Sequence, residues 1–170
     1  MGLNDGERRP RNKRPEYSPE EHEWEDAFDE RGPAPPRVAL GEDDSEMRRI
    51  LADKLRDDGY EVTEAENGRQ LIETVAAALR HHDQVGFDLI VSDMRMPEMT
   101  GLEFLTELRK HDRNAPVILI TAFGDAPTRA EAYRLGASAV LDKPFELDEF
   151  SRLVRQFAPF DGGGPQGPGT

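Results

Sequence analysis

Asp93 ends the apolar run Leu89-Ile90-Val91-Ser92-Asp93 and is followed at once by Met94-Arg95-Met96-Pro97. An apolar strand that hands a carboxylate to a loop is where open α/β sheets gather their chemistry. Two more acids, Glu42 and Asp43, end the stretch Val38-Ala39-Leu40-Gly41, and Lys143 ends Ala139-Val140-Leu141-Asp142. Carboxylates about 4 Å apart repel by roughly 4 kcal/mol per pair at an effective dielectric near 20, so three acids stay ionised together only around a cation. Mg²⁺ fits, being small and hard, taking oxygen ligands and keeping waters that a phosphate can replace. Lys143 would hold the charge of that phosphate as a flexible point cation. Asp93 becomes the candidate nucleophile, because carboxylates form acyl-phosphate intermediates.

Each of these residues has an ordinary explanation when taken alone. An aspartate at a strand end is commonly a cap or turn residue, Thr121 after Pro116–Ile120 an ordinary β-branched strand residue, and Lys143 an exposed charge. Their joint placement at the carboxyl ends of three or four strands is what favours a site. The neighbours His81-His82 do not gain in the same way, since adjacent residues on a helix point about 100° apart; they read as a solvated helix end.

Composition narrows the class. The chain has 170 residues, 36% hydrophobic content, no cysteine and a formal charge of −13. That is enough apolar material for one domain with a core, and it leaves no disulfide framework or thiolate metal site. No apolar run approaches the roughly 20 residues of a membrane span, and the arginines near Met1 have no hydrophobic segment behind them. A cytoplasmic location without membrane insertion is expected. The acidic balance argues against direct nucleic-acid binding, which needs a basic surface. Residues 1–36 hold six of the 13 prolines and residues 158–170 five of the 15 glycines, so the folded unit is placed at 37–157 between an acidic arm and a flexible tail.

Within that unit strand-like and helix-like patterns alternate. Val38–Gly41 precedes a helix over Glu46–Asp57 with Met47, Ile50, Leu51 and Leu55 inward and Gly59 as its stop. Tyr60–Glu64 precedes a helix capped by Asn67, with Leu71, Ile72, Val75 and Leu79 inward. Phe87–Ser92 is the central strand, and Leu102, Leu105 and Leu108 line the helix after Gly101. Pro116–Ile120 leads to a helix opened by Asp125-Ala126-Pro127 and ended near Gly136. Ala137–Leu141 leads to a last helix with Leu147, Phe150, Val154 and Phe157 inward. Five β-α units in series imply an α/β fold, a single doubly wound sheet of five parallel strands.

Glu42-Asp43, Asp93 with Pro97 and Gly101, Thr121-Ala122 and Lys143-Pro144-Phe145 occur in the order and setting that resembles the receiver domain of bacterial two-component response regulators, over Val38 to Phe157. The resemblance implies the (βα)5, flavodoxin-like receiver fold and a stand-alone response regulator. It also implies that Asp93 accepts a phosphoryl group from a sensor histidine kinase or a phosphotransfer protein of a phosphorelay. Mg²⁺ would be held by Asp43, Asp93 and the backbone carbonyl of Arg95, with Glu42 acting through water. Thr121 and Lys143 would hold phosphoryl oxygens, and the Lys143-Pro144 bond would be cis. Such a protein catalyses only its own phosphorylation and dephosphorylation and is not otherwise an enzyme. Spacing alone leaves both Glu42-Asp43 and Asp43-Asp44 open as the acidic pair; aligning the first helix with the family favours the former.

The chain departs from the family pattern at Val140, where many receivers carry a tyrosine or phenylalanine, and at Arg95, whose side chain either overhangs the site or is an exposed loop charge. No output domain is recognisable after Phe157, so output is expected from the face that includes Arg129, Tyr133, Arg134, Val140 and Phe145, toward a downstream protein partner. Two other readings compete: a receiver-like binding module that works without phosphate, and an aspartate-nucleophile phosphatase of the haloacid dehalogenase type. The latter places a second aspartate two residues after the first, where this chain has Arg95. In the arm, Ser18-Pro19-Glu20-Glu21 reads as a helix start, and Trp24 and Phe28 would share a face. The arm is read either as a disordered acidic segment or as a short helix, about Pro19 to Glu30, that needs a surface to dock on.

Overall fold

The computed structural model describes residues 34–81 and 86–160; the arm's expected helix, with Trp24 and Phe28, lies outside them, as does His82. Five strands and five helices alternate: β1 Arg37–Gly41, α1 Ser45–Asp57, β2 Glu61–Ala65, α2 Gly68–Arg80, β3 Leu89–Asp93, α3 Gly101–His111, β4 Val117–Thr121, α4 Ala126–Arg134, β5 Ala139–Asp142 and α5 Leu147–Phe157. All strand pairs are parallel, in the order β2-β1-β3-β4-β5. The order reverses between β1 and β3, and open sheets bind ligands at the carboxyl edge of such a switch point.

The three inner strands β1, β3 and β4 are buried on both faces, which is why they read as continuous apolar runs, whereas the edge strand β2, Glu61-Val62-Thr63-Glu64-Ala65, is mostly half-buried and mixes polar residues in. Successive side chains alternate between two cores. Val38, Leu40, Leu89, Val91, Ile118 and Ile120 meet Leu51 and Leu55 of α1 and Phe150 and Val154 of α5. Ala39, Ile90, Val117 and Leu119 meet Leu71 and Val75 of α2, Phe104, Leu105 and Leu108 of α3 and Ala132 of α4. Side chains start four of the helices: Asp44, Asn67 and Asp125 each accept a backbone N–H three residues on, and Thr100 and Glu103 form a reciprocal capping box. Gly59 and Gly136 follow α1 and α4 with φ of 99° and 101°, a left-handed turn that glycine adopts without a Cβ penalty.

The helix stripes differ in detail from the sequence reading. Ile50, Leu79 and Leu147 are 37%, 40% and 37% exposed, while Ala52, Ala78 and Phe104 are buried. In α2 the inward line runs Leu71, Val75, Ala78, a spacing of four and three; Leu79 stands a further 100° around. Size misleads there, because the larger apolar residue is the one left outside. Packing also runs past Phe157: the Tyr60 hydroxyl donates to the Ala158 carbonyl at 2.8 Å, and Phe160 lies against the α1–α5 core.

Candidate functional site

Strand register brings the acids together. Gly41 pairs with Ser92, so the next residues, Glu42 and Asp93, leave the sheet side by side and Asp43 follows. One carboxylate oxygen from each of Glu42, Asp43 and Asp93 lies within 4.8 Å of the other two. Asp93 pairs with Ile120, which sets Thr121 one step beyond it, and Thr121 pairs with Asp142, immediately before Lys143. The Lys143 ammonium is 3.2 Å from Glu42 Oε2 and 3.3 Å from Asp93 Oδ1. The Lys143-Pro144 bond is cis.

Burial makes this cluster electrostatically uneasy. Glu42 and Asp93 are 1% and 6% exposed, whereas Asp43 is open to solvent. Burial pushes the Glu42 carboxyl above its ordinary value and the Asp93 charge adds to the rise, against the Asp44 amide and Lys143. Burial raises Asp93 as well, against the pull of Lys143 and with Asp43 adding to the rise. For Lys143 burial opposes the ammonium, but Asp93 and Glu42 outweigh it and leave its pKa above the usual value. One lysine therefore does not neutralise three acids. The remaining negative charge, on hard oxygen donors at a partly open edge, suits a small divalent cation.

Asp44 has a different job. Its side chain accepts the Met47 N–H at 2.8 Å, and its own N–H donates to Glu42 Oε1 at 3.2 Å. The geometry thus gathers Glu42 and Asp43 with Asp93 and uses the third acid as the cap of α1. Gly101 is explained by closeness: a Cβ there would fall 2.7 Å from the Asp93 carbonyl oxygen and 3.0 Å from Met94 Cα, so α3 can start against the Asp93 backbone only with glycine.

Several features were not foreseen. Arg48, on the polar side of α1, donates to the Glu42 carbonyl at 2.8 Å and faces Glu64 and Glu66 at 3.4 and 3.7 Å. The Arg95 side chain is exposed, yet its guanidinium stacks on Phe123 with 4.6 Å to the ring centroid. Phe123 donates its N–H to Thr121 Oγ1 at 3.1 Å. Of the residues proposed for the output face, Tyr133 is 48% exposed and Arg134 pairs with Glu131. Arg129 is ion-paired to Asp142, and Val140 and Phe145 are half-buried.

A family profile described as the response regulator receiver domain matches residues 38–155. The chain belongs to that family. Regulatory protein AtoC of Escherichia coli strain K12 is 37% identical over 120 residues, 71% of this chain and 24% of AtoC. Sporulation initiation phosphotransferase F of Bacillus subtilis strain 168 is 30% identical over 123 residues, 72% of this chain and 94% of that protein. The receiver thus spans about a quarter of AtoC and nearly all of phosphotransferase F. Among solved structures, chemotaxis protein CheY4 of Vibrio cholerae has a TM-score of 0.64 at 29% identity, covering 73% of this chain and 99% of that one.

Proposed function

We propose that this receiver is a phosphoacceptor switch in which Asp93 takes a phosphoryl group from a histidine kinase or a phosphotransfer protein. The observation that carries this is Asp93 itself: a buried carboxylate at the end of the central strand, within 4.8 Å of two further acids and with an ammonium 3.3 Å away. An Asp93 oxygen attacks phosphorus, the P–N bond to the donor imidazole breaks, and an acyl phosphate remains. Lys143 stays protonated throughout and meets the charge on the phosphoryl oxygens. Thr121 presents its hydroxyl from the neighbouring strand. Asp43, Asp93 and the Arg95 carbonyl would hold Mg²⁺, with Glu42 acting through water. Mg²⁺ when bound would add positive charge to that of Lys143, so positioning and electrostatics carry the transfer.

A donor protein needs a place to sit. Beside the site lies an apolar groove of about 470 Å³ lined by Met47, Ile50, Ala122, Pro144, Phe145 and Leu147, with Lys143 on its wall. It accounts for the exposure of Ile50 and Leu147, and we assign it to a helix of the phosphodonor, packed by its apolar stripe. The acyl phosphate then shifts the population of Thr121 and the Ala122–Asp125 loop, altering affinity for a downstream protein. Such a switch would work in the cytoplasm, where its donor acts.

Incubation with acetyl phosphate and Mg²⁺ tests the reading. One hydroxylamine-labile phosphoryl adduct is expected, lost in Asp93→Asn. A wild-type level of adduct in that variant would overturn the assignment, and its absence from the wild type would favour a phosphate-independent binding module.

A further inference from the structure

Among the described residues Phe123 is the most exposed large hydrophobic side chain, at 66%. A ring left so far in water contributes little to the core, and the Arg95 guanidinium stacks on it at 4.6 Å from the centroid. That contact joins the loop after β3 to the loop after β4. Arg95 stands two residues beyond Asp93, and Phe123 two beyond Thr121. No aromatic residue lies on β5, whose sequence is Ala139-Val140-Leu141-Asp142. The aromatic residue bonded to Thr121 is Phe123 itself, through its backbone N–H.

From this arrangement we infer that the Arg95–Phe123 stack is a latch across the mouth of the site, closed in the unmodified protein and released when Asp93 is phosphorylated. The inference rests on the phosphoacceptor reading and adds to it the group that reports the change. The loop from Thr121 to Asp125 is short and fixed at both ends, by the strand and by the Asp125 cap on Thr128. Its middle is packed: a Cβ at Gly124 would fall 2.3 Å from Asp142 Oδ1 and 3.0 Å from Thr121 Cγ2. Asp142 is in turn held by Arg129 of α4. When the Thr121 hydroxyl turns toward a phosphoryl oxygen, the Phe123 amide loses its acceptor. The loop cannot yield toward Asp142, so it moves outward and takes the ring off Arg95. Cation–π contacts at exposed sites are weak, which lets a local change at Thr121 open this one. Release leaves a free guanidinium and an uncovered ring beside the site, a surface the unmodified form does not offer.

The test uses the full chain, with beryllofluoride and Mg²⁺ in place of the phosphoryl group. ¹⁹F NMR of the bound fluorides reports adduct formation independently of the latch. The ring-current shift of the Arg95 δ-methylene protons reports the stack, with Phe123→Leu as the unstacked reference; Phe123 touches no reacting atom in the proposed transfer. As the adduct forms, the Arg95 protons are expected to move the whole way to the Phe123→Leu value, in step with the Phe123 amide. An adduct that forms while Arg95 keeps its stacked shift would overturn the latch and leave the phosphoacceptor reading intact. Arg95 protons already at the reference value before beryllofluoride is added would also overturn it. No bound fluoride signal at all would overturn the phosphoacceptor reading, and the latch with it.

Discussion

Asp93 is costly to keep where it is, and the cost is what makes it useful. Its carboxyl and that of Glu42 are both held above the ordinary range by burial, so the folded protein binds these protons more tightly than the unfolded chain. By linkage the wild type loses stability as pH rises through the folded values. Removing one charge should relieve the strain. Asp93→Asn is expected to raise metal-free stability at pH 7 by about 1 kcal/mol, because the charge no longer has to be buried, a relief partly cancelled by the lost attraction to Lys143, with the gain shrinking toward acid pH. Urea denaturation of both proteins across pH 4–8 checks this; a destabilised variant at pH 7 would mean that the Lys143 contact outweighs the cost of burying the charge. A second comparison separates the neighbouring acids. Asp43→Ala should weaken Mg²⁺ binding by about tenfold or more, roughly 1.4 kcal/mol, while Asp44→Ala should cost about 1 kcal/mol of stability through the lost cap and leave Mg²⁺ affinity near wild type. Calorimetric titration giving the opposite order would reverse the pairing. Asp93, Thr121 and Lys143 were legible from sequence because strand ends converge in any parallel sheet. Asp44 was ambiguous because three consecutive acids differ only in where the backbone turns into α1. The Arg95–Phe123 stack was illegible, since it depends on how two loops approach each other.

At the scale of elements the alternation of strands and helices was readable because two-sided burial leaves unbroken apolar runs while the helices keep caps and stops. Which residues of a helix face inward was less so, because Ala78 and Ala52 occupy inward positions through geometry rather than size. Polar ties between helices carried no sequence signal either. The clearest is Asp58, at the end of α1, whose side chain is only 8% exposed. It accepts from Lys54 Nζ at 2.8 Å and from the Ser151 hydroxyl of α5, and Arg155 stands 3.4 Å away. Burial alone would raise the Asp58 carboxyl, but Lys54, Ser151 and Arg155 together bring it below its ordinary value. A depressed folded pKa gives stability that is present above the unfolded pKa, about 3.9, and is lost as pH falls through the folded value. Asp58→Asn is therefore expected to cost about 1–3 kcal/mol at pH 7 and progressively less in acid. Denaturation midpoints that differ by the same amount at pH 7 and pH 3 would rule out a charge-linked tie between α1 and α5.

For the whole molecule the question is whether its acidity acts locally or as a diffuse field. The chain carries 35 acidic and 22 basic residues, a formal charge of −13, so any salt relieves some general repulsion by screening. The three-acid cluster predicts something more selective, because the sheet assembles it only in the folded state: strand register puts Glu42 beside Asp93, and the unfolded chain has no such site. A ligand that binds only the native form stabilises it by RT ln(1 + [L]/Kd), about 1.4 kcal/mol when free Mg²⁺ is ten times Kd. Thermal or urea unfolding of the wild type should therefore climb logarithmically with Mg²⁺ at fixed ionic strength, and Asp43→Ala should flatten that climb while keeping the response to NaCl. If Asp43→Ala gains as much from Mg²⁺ as the wild type does, the cation is acting on the overall charge and the acidic edge of the sheet is not a metal site.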